Sequence, residues 1–420
     1  MPARAVGILA ALALLLIPVR LPEARAQPDD DRAEIQALLD RRAEAFLARD
    51  RAAFMATIAP GADAFRARQA RAWRYSADVP FESYRLLADW ARYGDLARPS
   101  DRRRYPDAEA IVIPLTQERY QIRRFDEVEA VEDVYFTFVE RDGAWLIADD
   151  ADLEDVGFLS VRHAWDLAPL TSIRSDHFLG LGPPCDGGLA SCANESLLAI
   201  AEEALVRLDS SWTRRWNDRV ILIVPPSGAA LTRMLQATFD PNDFVAFAYS
   251  TIDPDELHYS GDRIIVNPAV MAGRPHADVL RILAHELLHV ATRDVAGPFI
   301  PLFVDEGLAE YVGYGGNPGL GYFNAVVAGG LFDGKLPEDF EFSTGTGNDI
   351  YLSYQKAQSA VRYFIQRWGL ERFTKLYSHL GRARLTPGLA TWHVDRTLEK
   401  VIGMRLRGFE KAWASSIRSK

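Results

Sequence analysis

The feature that most constrains this chain is the stretch 277–296, which contains no glycine or proline and carries His285-Glu286-Leu287-Leu288-His289. Val279, Leu280, Ile282, Leu283, Leu287, Leu288 and Val290 make a broad apolar face, so the stretch reads as a largely buried helix. On a helix, positions i and i+4 share a face, and His285 and His289 can aim two imidazoles at one point. Ionisable groups on a buried helix are costly unless something compensates them. A metal ion does so. Zn²⁺ takes nitrogen and oxygen ligands tetrahedrally, and a catalytic site leaves one position to water. Glu286 points beside that ion, where a base for its water belongs.

The third ligand is sought downstream. Residues 303–312 read as a second helix entered after Pro301. Glu306 lies 17 positions beyond His289, enough for a turn and a return to the first helix. Glu310 is one turn further along the same face and suits the carboxylate that takes a metal-binding imidazole's other N–H. Asp305 competes for the ligand position, but points about 100° away on an ideal helix. It reads as a solvated first-turn acid favoured by the helix dipole.

His285-Glu286-Leu287-Leu288-His289 with Glu306-Gly307-Leu308-Ala309-Glu310-Tyr311 resembles the gluzincin metallopeptidases, the clan of thermolysin and aminopeptidase N. The form of the second segment is similar to the peptidase MA-like domains and the aminopeptidase N branch. The resemblance spans roughly residues 168–420. It implies Glu306 as third zinc ligand and a thermolysin-like domain with a mixed sheet and a zinc-binding helix. It also implies that Tyr354, in Tyr354-Gln355-Lys356-Ala357, stabilises a tetrahedral oxyanion, with Tyr351 as the reserve. No G-x-M-E-N segment is present, which weakens an aminopeptidase assignment. The resemblance further implies that a sheet-edge strand ahead of the zinc helix, here 244–252, pairs with substrate backbone.

The N-terminus reads as an export signal. Arg4 precedes an apolar run over 5–18, and Ala24-Arg25-Ala26 is a small-x-small cleavage site with Gln27 next. The run is shorter than the roughly 20 residues that span a bilayer. An uncleaved anchor is the alternative, and no later segment is apolar enough to span a membrane. The expected location is periplasmic or extracellular. The chain carries a net charge of −10, which argues against nucleic acid or an anionic membrane as main partner. Cys185 and Cys192 flank a turn-rich segment, and in an exported chain such a pair is expected to form a disulfide.

The fold class expected is α+β. After the leader (1–26), residues 27–160 read as helices over 31–49 and 51–58 and then strands over 83–87, 110–115, 118–125, 131–140 and 145–149. Arg141-Asp142-Gly143-Ala144 is a hairpin turn. This helix-plus-curved-antiparallel-sheet pattern is similar to nuclear-transport-factor-2-like (SnoaL-like) cone domains, which implies a place for a ligand or cell-envelope partner. Arg102-Arg103-Arg104 and the acidic run over 149–155 read as solvated. A linker is expected over 161–175 and the metallopeptidase domain over 176–420.

The function expected is an exported zinc metallopeptidase with one Zn²⁺ per chain, a peptide or protein substrate, and Glu286 as general base. Two alternatives stay open. One is an envelope binding protein with a structural or vestigial zinc site. The other is a zinc hydrolase acting on a non-peptide amide or ester, since a polarised carbonyl can belong to either.

Overall fold

The computed structural model describes residues 29–184, 193–236, 244–253, 258–297, 300–382 and 390–418. The leader, and Cys185 and Cys192 with the disulfide expected of them, lie outside these residues. The fold is mixed α+β.

Helices α1 (Asp29–Leu47), α2 (Arg51–Ala56) and α3 (Asp63–Tyr75) come first. Asp50 starts α2 by accepting the Ala53 N–H at 3.0 Å. Helix α3 is absent from the sequence expectation. Its arginines at 66, 68, 71 and 74 dilute the apolar pattern, and of its residues only Phe65 and Trp73 are buried.

Strand β1 (Phe81–Asp89), the short helix α4 (Pro99–Arg102), and strands β2 (Ala110–Val112), β3 (Leu115–Ile122), β4 (Ala130–Val134), β5 (Thr137–Arg141) and β6 (Ala144–Asp149) follow. They form two three-stranded antiparallel sheets, ordered β1-β3-β4 and β2-β5-β6. The single strand expected over 131–140 is therefore broken. At Tyr135 the backbone N–H turns to Ser160 Oγ at 3.0 Å, and the chain passes from one sheet to the other. The β5–β6 hairpin turns at Asp142 and Gly143, both left-handed at φ 51° and 69°, as a two-residue turn requires. Ile35, Leu38 and Leu39 of α1 pack with Phe65, Phe136, Phe138 and Trp145 to close this core.

The acidic run is only in part the solvated segment expected: Glu154 and Asp155 are exposed, but its middle is enclosed. Asp150 and Asp152 are buried. Arg162 and Arg68 hold Asp150 at 2.9 and 2.8 Å, and the Tyr105 hydroxyl donates to Asp152 at 2.6 Å. The arginine run is exposed at all three positions, as expected, although Arg104 reaches Asp152 and Arg102 reaches Asp95. The pairings of Asp150 with Arg68 and of Asp152 with Arg104 and Tyr105 join residues tens of positions apart, so local pattern carries no trace of them.

The segment 161–175, expected as a linker, holds the short helix α5 (Ala164–Leu167), which buries Trp165, and strand β7 (Thr171–Arg174). Then come β8 (Phe178–Gly182), α6 (Glu195–Asp209), β9 (Val220–Ile223), α7 (Gly228–Leu235), β10 (Ala246–Asp253) and β11 (His258–Val266). Their sheet runs β10-β11-β9-β8-β7, with β8, β9 and β11 parallel and antiparallel strands at both edges. Every side chain of Val220-Ile221-Leu222-Ile223 is buried, as expected for a central strand covered on both faces.

Alternation along these strands splits the core. Val220, Leu222, Ile264 and Ala246 face the helices that follow. Ile221, Ile223, Ile265 and Phe247 face the other way, onto Tyr120, Ile122, Phe125 and Trp165 of the N-terminal part. Polar clasps cross that second layer. Arg263 grips Asp126 at 2.5 and 2.8 Å, both buried, Arg119 pairs with Asp253 at 3.0 Å, and the Tyr249 hydroxyl donates to Glu132 at 3.1 Å.

The remaining helices are α8 (Pro268–Met271), α9 (His276–Thr292), α10 (Leu302–Gly313), α11 (Gly321–Ala328), α12 (Gly347–Trp368), α13 (Leu370–Gly381), α14 (Ala390–Ile402) and α15 (Leu406–Arg418). Gly307 lets α10 lie close on α12. A Cβ there would sit 2.8 Å from the Ala357 carbonyl oxygen and 2.7 Å from Val361 Cγ2. Among the described residues no helix is long and apolar enough to cross a membrane.

Candidate metal centre

Helix α9 buries Val279, Leu283, Leu287 and Leu288 against the sheet layer, which fixes its rotation and turns His285, Glu286 and His289 toward α10 and β10. Helix α10 enters after Pro301 and brings Glu306 onto the imidazoles. His285 Nε2 lies 3.3 Å from His289 Nε2 and 3.2 Å from Glu306 Oε2, and His289 Nε2 lies 3.7 Å from the same oxygen. Ligand bonds of about 2.0–2.1 Å in a tetrahedron put the ligand atoms about 3.3 Å apart. The triangle thus has the size of one face of such a tetrahedron. All three residues are buried and could together hold a metal ion.

The outer nitrogens face carboxylates. His285 Nδ1 is 3.1 Å from Glu310 Oε1, and His289 Nδ1 is 3.5 Å from Asp305 Oδ1. Neither contact reaches hydrogen-bond geometry. A carboxylate at Nδ1 still favours the proton there, which leaves each Nε2 lone pair aimed at the centre. Two lone pairs and a carboxylate oxygen then converge within 4 Å, an arrangement that a cation stabilises. Without one, the imidazoles take protons. Burial opposes this, but Glu306 and Glu310 raise His285 to about 10, and Asp305 and Glu306 raise His289 to about 9.

Asp305 is not the solvated acid its sequence position suggests. It is 3 % exposed, covered by α13, whose Tyr377 hydroxyl donates to it. Burial raises its proton affinity, but His289 and Tyr377 prevail and hold it below the usual carboxylate range. Asp305 thus serves His289 as Glu310 serves His285. Arg281 pairs with Glu310 at 3.3 Å.

Glu286 points past the triangle to β10, the edge strand. Its Oε2 accepts the Ala248 N–H at 2.8 Å, while Arg293 donates to the Ala248 carbonyl at 2.9 Å. Burial pushes the Glu286 carboxyl up, with His285 and His289 pulling the other way. Tyr354, on α12, is buried with its ring 6.4 Å from that of His285 and packs edge-on to Phe342. Burial, and then Glu306, Glu310 and Glu286, raise its hydroxyl well above the ordinary value. Tyr351 instead stacks on Tyr322 at 6.4 Å and bonds Tyr314.

Neither a family model nor a curated protein nor a solved structure matches this chain.

The tertiary structure therefore brings together His285, Glu286, His289, Glu306, Glu310 and Tyr354. It adds four groups that sequence reasoning missed: Tyr377, the Ala248 N–H, Arg281 and Arg293. The two arginines had a signal, since each lies one helical turn from a histidine, at i−4 from His285 and i+4 from His289. Tyr377, 88 residues downstream of His289, had none, and Ala248, 41 upstream, was marked only as part of the strand expected over 244–252.

Proposed function

We propose that this chain is an exported zinc-dependent peptidase. The observation that carries the reading is the buried triangle of His285 Nε2, His289 Nε2 and Glu306 Oε2, with the Glu286 carboxylate beside it on the same helix. Two imidazoles, one carboxylate and no thiolate, at tetrahedral spacing, suit Zn²⁺. When bound, the ion would polarise a substrate carbonyl and acidify a water.

The chain's own groups supply the rest. Glu286 accepts the proton of the attacking water and returns it to the leaving amine. The Ala248 N–H holds Oε2 and so aims the carboxylate. Tyr354 donates to the oxyanion as charge develops on it. An extended peptide is the substrate class in this reading, because β10 is a sheet edge passing directly beside the base.

A gluzincin assignment for the second half of the chain is part of the proposal. It is supported by the H-E-L-L-H helix behind an antiparallel edge strand, and by the Glu306 helix returning onto it. A nuclear-transport-factor-2-like assignment for the first half is supported by helices packed on two small antiparallel sheets. Export is supported by the apolar run over 5–18 and the Ala24-Arg25-Ala26 site.

The test is Glu286→Gln in the purified protein, with metal content and proteome-wide cleavage measured together. The expected result is one zinc per chain in both proteins and cleavage in wild type alone. Zinc-loaded wild type that cleaves amides or esters but no peptide would leave the base in place and replace the substrate class. Zinc-loaded wild type with no hydrolysis of any kind would overturn the enzyme reading in favour of a binding protein.

A further inference from the structure

A second site lies away from the metal centre, where the N-terminal helices meet the segment entering the five-stranded sheet. It is a cavity of about 230 Å³. Phe46, Phe54, Trp73, Phe136 and Trp165 give it aromatic walls. Its charged lining is unbalanced, with five arginines against three carboxylates.

The carboxylates are all answered. Asp150 is held by Arg162 at 2.9 Å and Arg68 at 2.8 Å. Glu118 lies 3.3 Å from His163, and Asp166 accepts the His163 backbone N–H at 2.8 Å. His163 itself is raised to about 9, since Glu118 overcomes the opposing effect of burial. It therefore adds to the positive charge.

Arg42 is the exception. It is 2 % exposed and lines the cavity. Its hydrogen bonds go to neutral acceptors: Thr57 Oγ1 at 2.8 Å, the Gln69 amide oxygen and, at 3.5 Å, the Phe54 carbonyl. The guanidinium lies 3.8 Å over the Phe54 ring. Among the described residues no carboxylate forms an ion pair with it. Burial lowers its proton affinity to about 10, while Tyr84, then Asp150 and Glu118, oppose this through space without pairing with it. A buried cation without a counter-charge is costly, and a hydrophobic residue of similar volume would serve packing better. At the rim Arg71 and Arg233 are exposed and add positive charge where an anion would enter.

We propose that this cavity binds a small organic carboxylate with an aromatic or aliphatic body, the carboxylate on Arg42 and the body against the aromatic walls. One planar guanidinium suits one carboxylate. The volume lies below that of pockets for drug-sized ligands, so the body is small. The proposal is independent of the metal reading.

The test is calorimetric titration of the full protein with benzoate, phenylacetate and hexanoate, against neutral benzamide and inorganic phosphate. At least one carboxylate is expected to bind saturably at one site per chain, with benzamide at least tenfold weaker. Arg42→Met should lose at least tenfold in affinity while keeping its circular dichroism. Ala72→Trp, which fills the cavity from α3 and keeps Arg42, should abolish binding and decides the matter if Arg42→Met does not fold. Three results would each overturn the proposal: no saturable carboxylate binding to folded wild type, binding unchanged in Ala72→Trp, or binding of phosphate alone.

Discussion

Asp305 Oδ1 stands 3.5 Å from His289 Nδ1 and accepts the Tyr377 hydroxyl. Each histidine of the site thus has its own carboxylate from α10, one on either side of Glu306. Removing such a partner typically costs 10–100-fold in metal affinity. Asp305→Ala is expected to fall in that range, and Tyr377→Phe to lose less, because Asp305 remains. Competition against a chelator of known affinity measures both. Asp305→Ala binding metal as tightly as wild type would show that the contact does not orient His289.

Tyr354 and Tyr351 are one turn apart on α12 but face different surroundings. Tyr354→Phe is expected to lower kcat by about 10²–10³-fold with KM little changed, as for one lost oxyanion donor. Tyr351→Phe should stay near wild type. Steady-state kinetics on any substrate found by the cleavage screen separates them, and equal effects would contradict the placement.

Gly307 is where α10 touches α12. Gly307→Val should destabilise the protein by about 1–3 kcal/mol through overpacking, because beside Val361 it meets the Ala357 backbone carbonyl, which cannot rotate away. Metal affinity should fall with it, since the same shift moves Glu306. Denaturant melts and zinc titration of the variant give both numbers.

The Arg263–Asp126 clasp is enclosed between the five-stranded sheet and the N-terminal part. Asp126→Ala leaves a buried guanidinium and is expected to cost about 3–5 kcal/mol. Arg263→Met with Asp126→Leu should recover most of that loss. Urea unfolding of the single and double variants checks the pattern. A single variant as stable as wild type would mean that water already reaches the pair.

His163 and Glu118 predict how stability changes with pH. The folded-state value of His163 is about 9, above its ordinary 6.5. Its contribution is therefore fully present below about pH 6.5 and is lost as pH rises through 9, on the order of 3 kcal/mol. Glu118→Gln removes the charge that holds the proton and should flatten this part of the curve. Urea midpoints at pH 6.5, 8 and 9.5 for both proteins test it, and an unchanged slope in the variant would place the titration elsewhere.

The sequence by itself determined the parts whose logic is local. Spacing of four residues on an uninterrupted helix put His285 and His289 on one face, and the apolar stripe beside them set which face is buried. Unbroken apolar runs such as Val220–Ile223 marked a covered central strand, and Asp142-Gly143 marked a hairpin turn. What only the tertiary structure decided is which distant groups share a buried space. Asp305 reads as a solvated first-turn acid until α13 covers it. Asp150 and Asp152 read as a solvated run until arginines from 68, 104 and 162 close over them. Arg42 carries no signal of its own within the helix expected over 31–49, and only the fold brings Phe54, Gln69 and Trp165 around the cavity it lines. In each case the deciding quantity is desolvation, which depends on neighbours far along the chain and leaves no periodic signature near the residue itself.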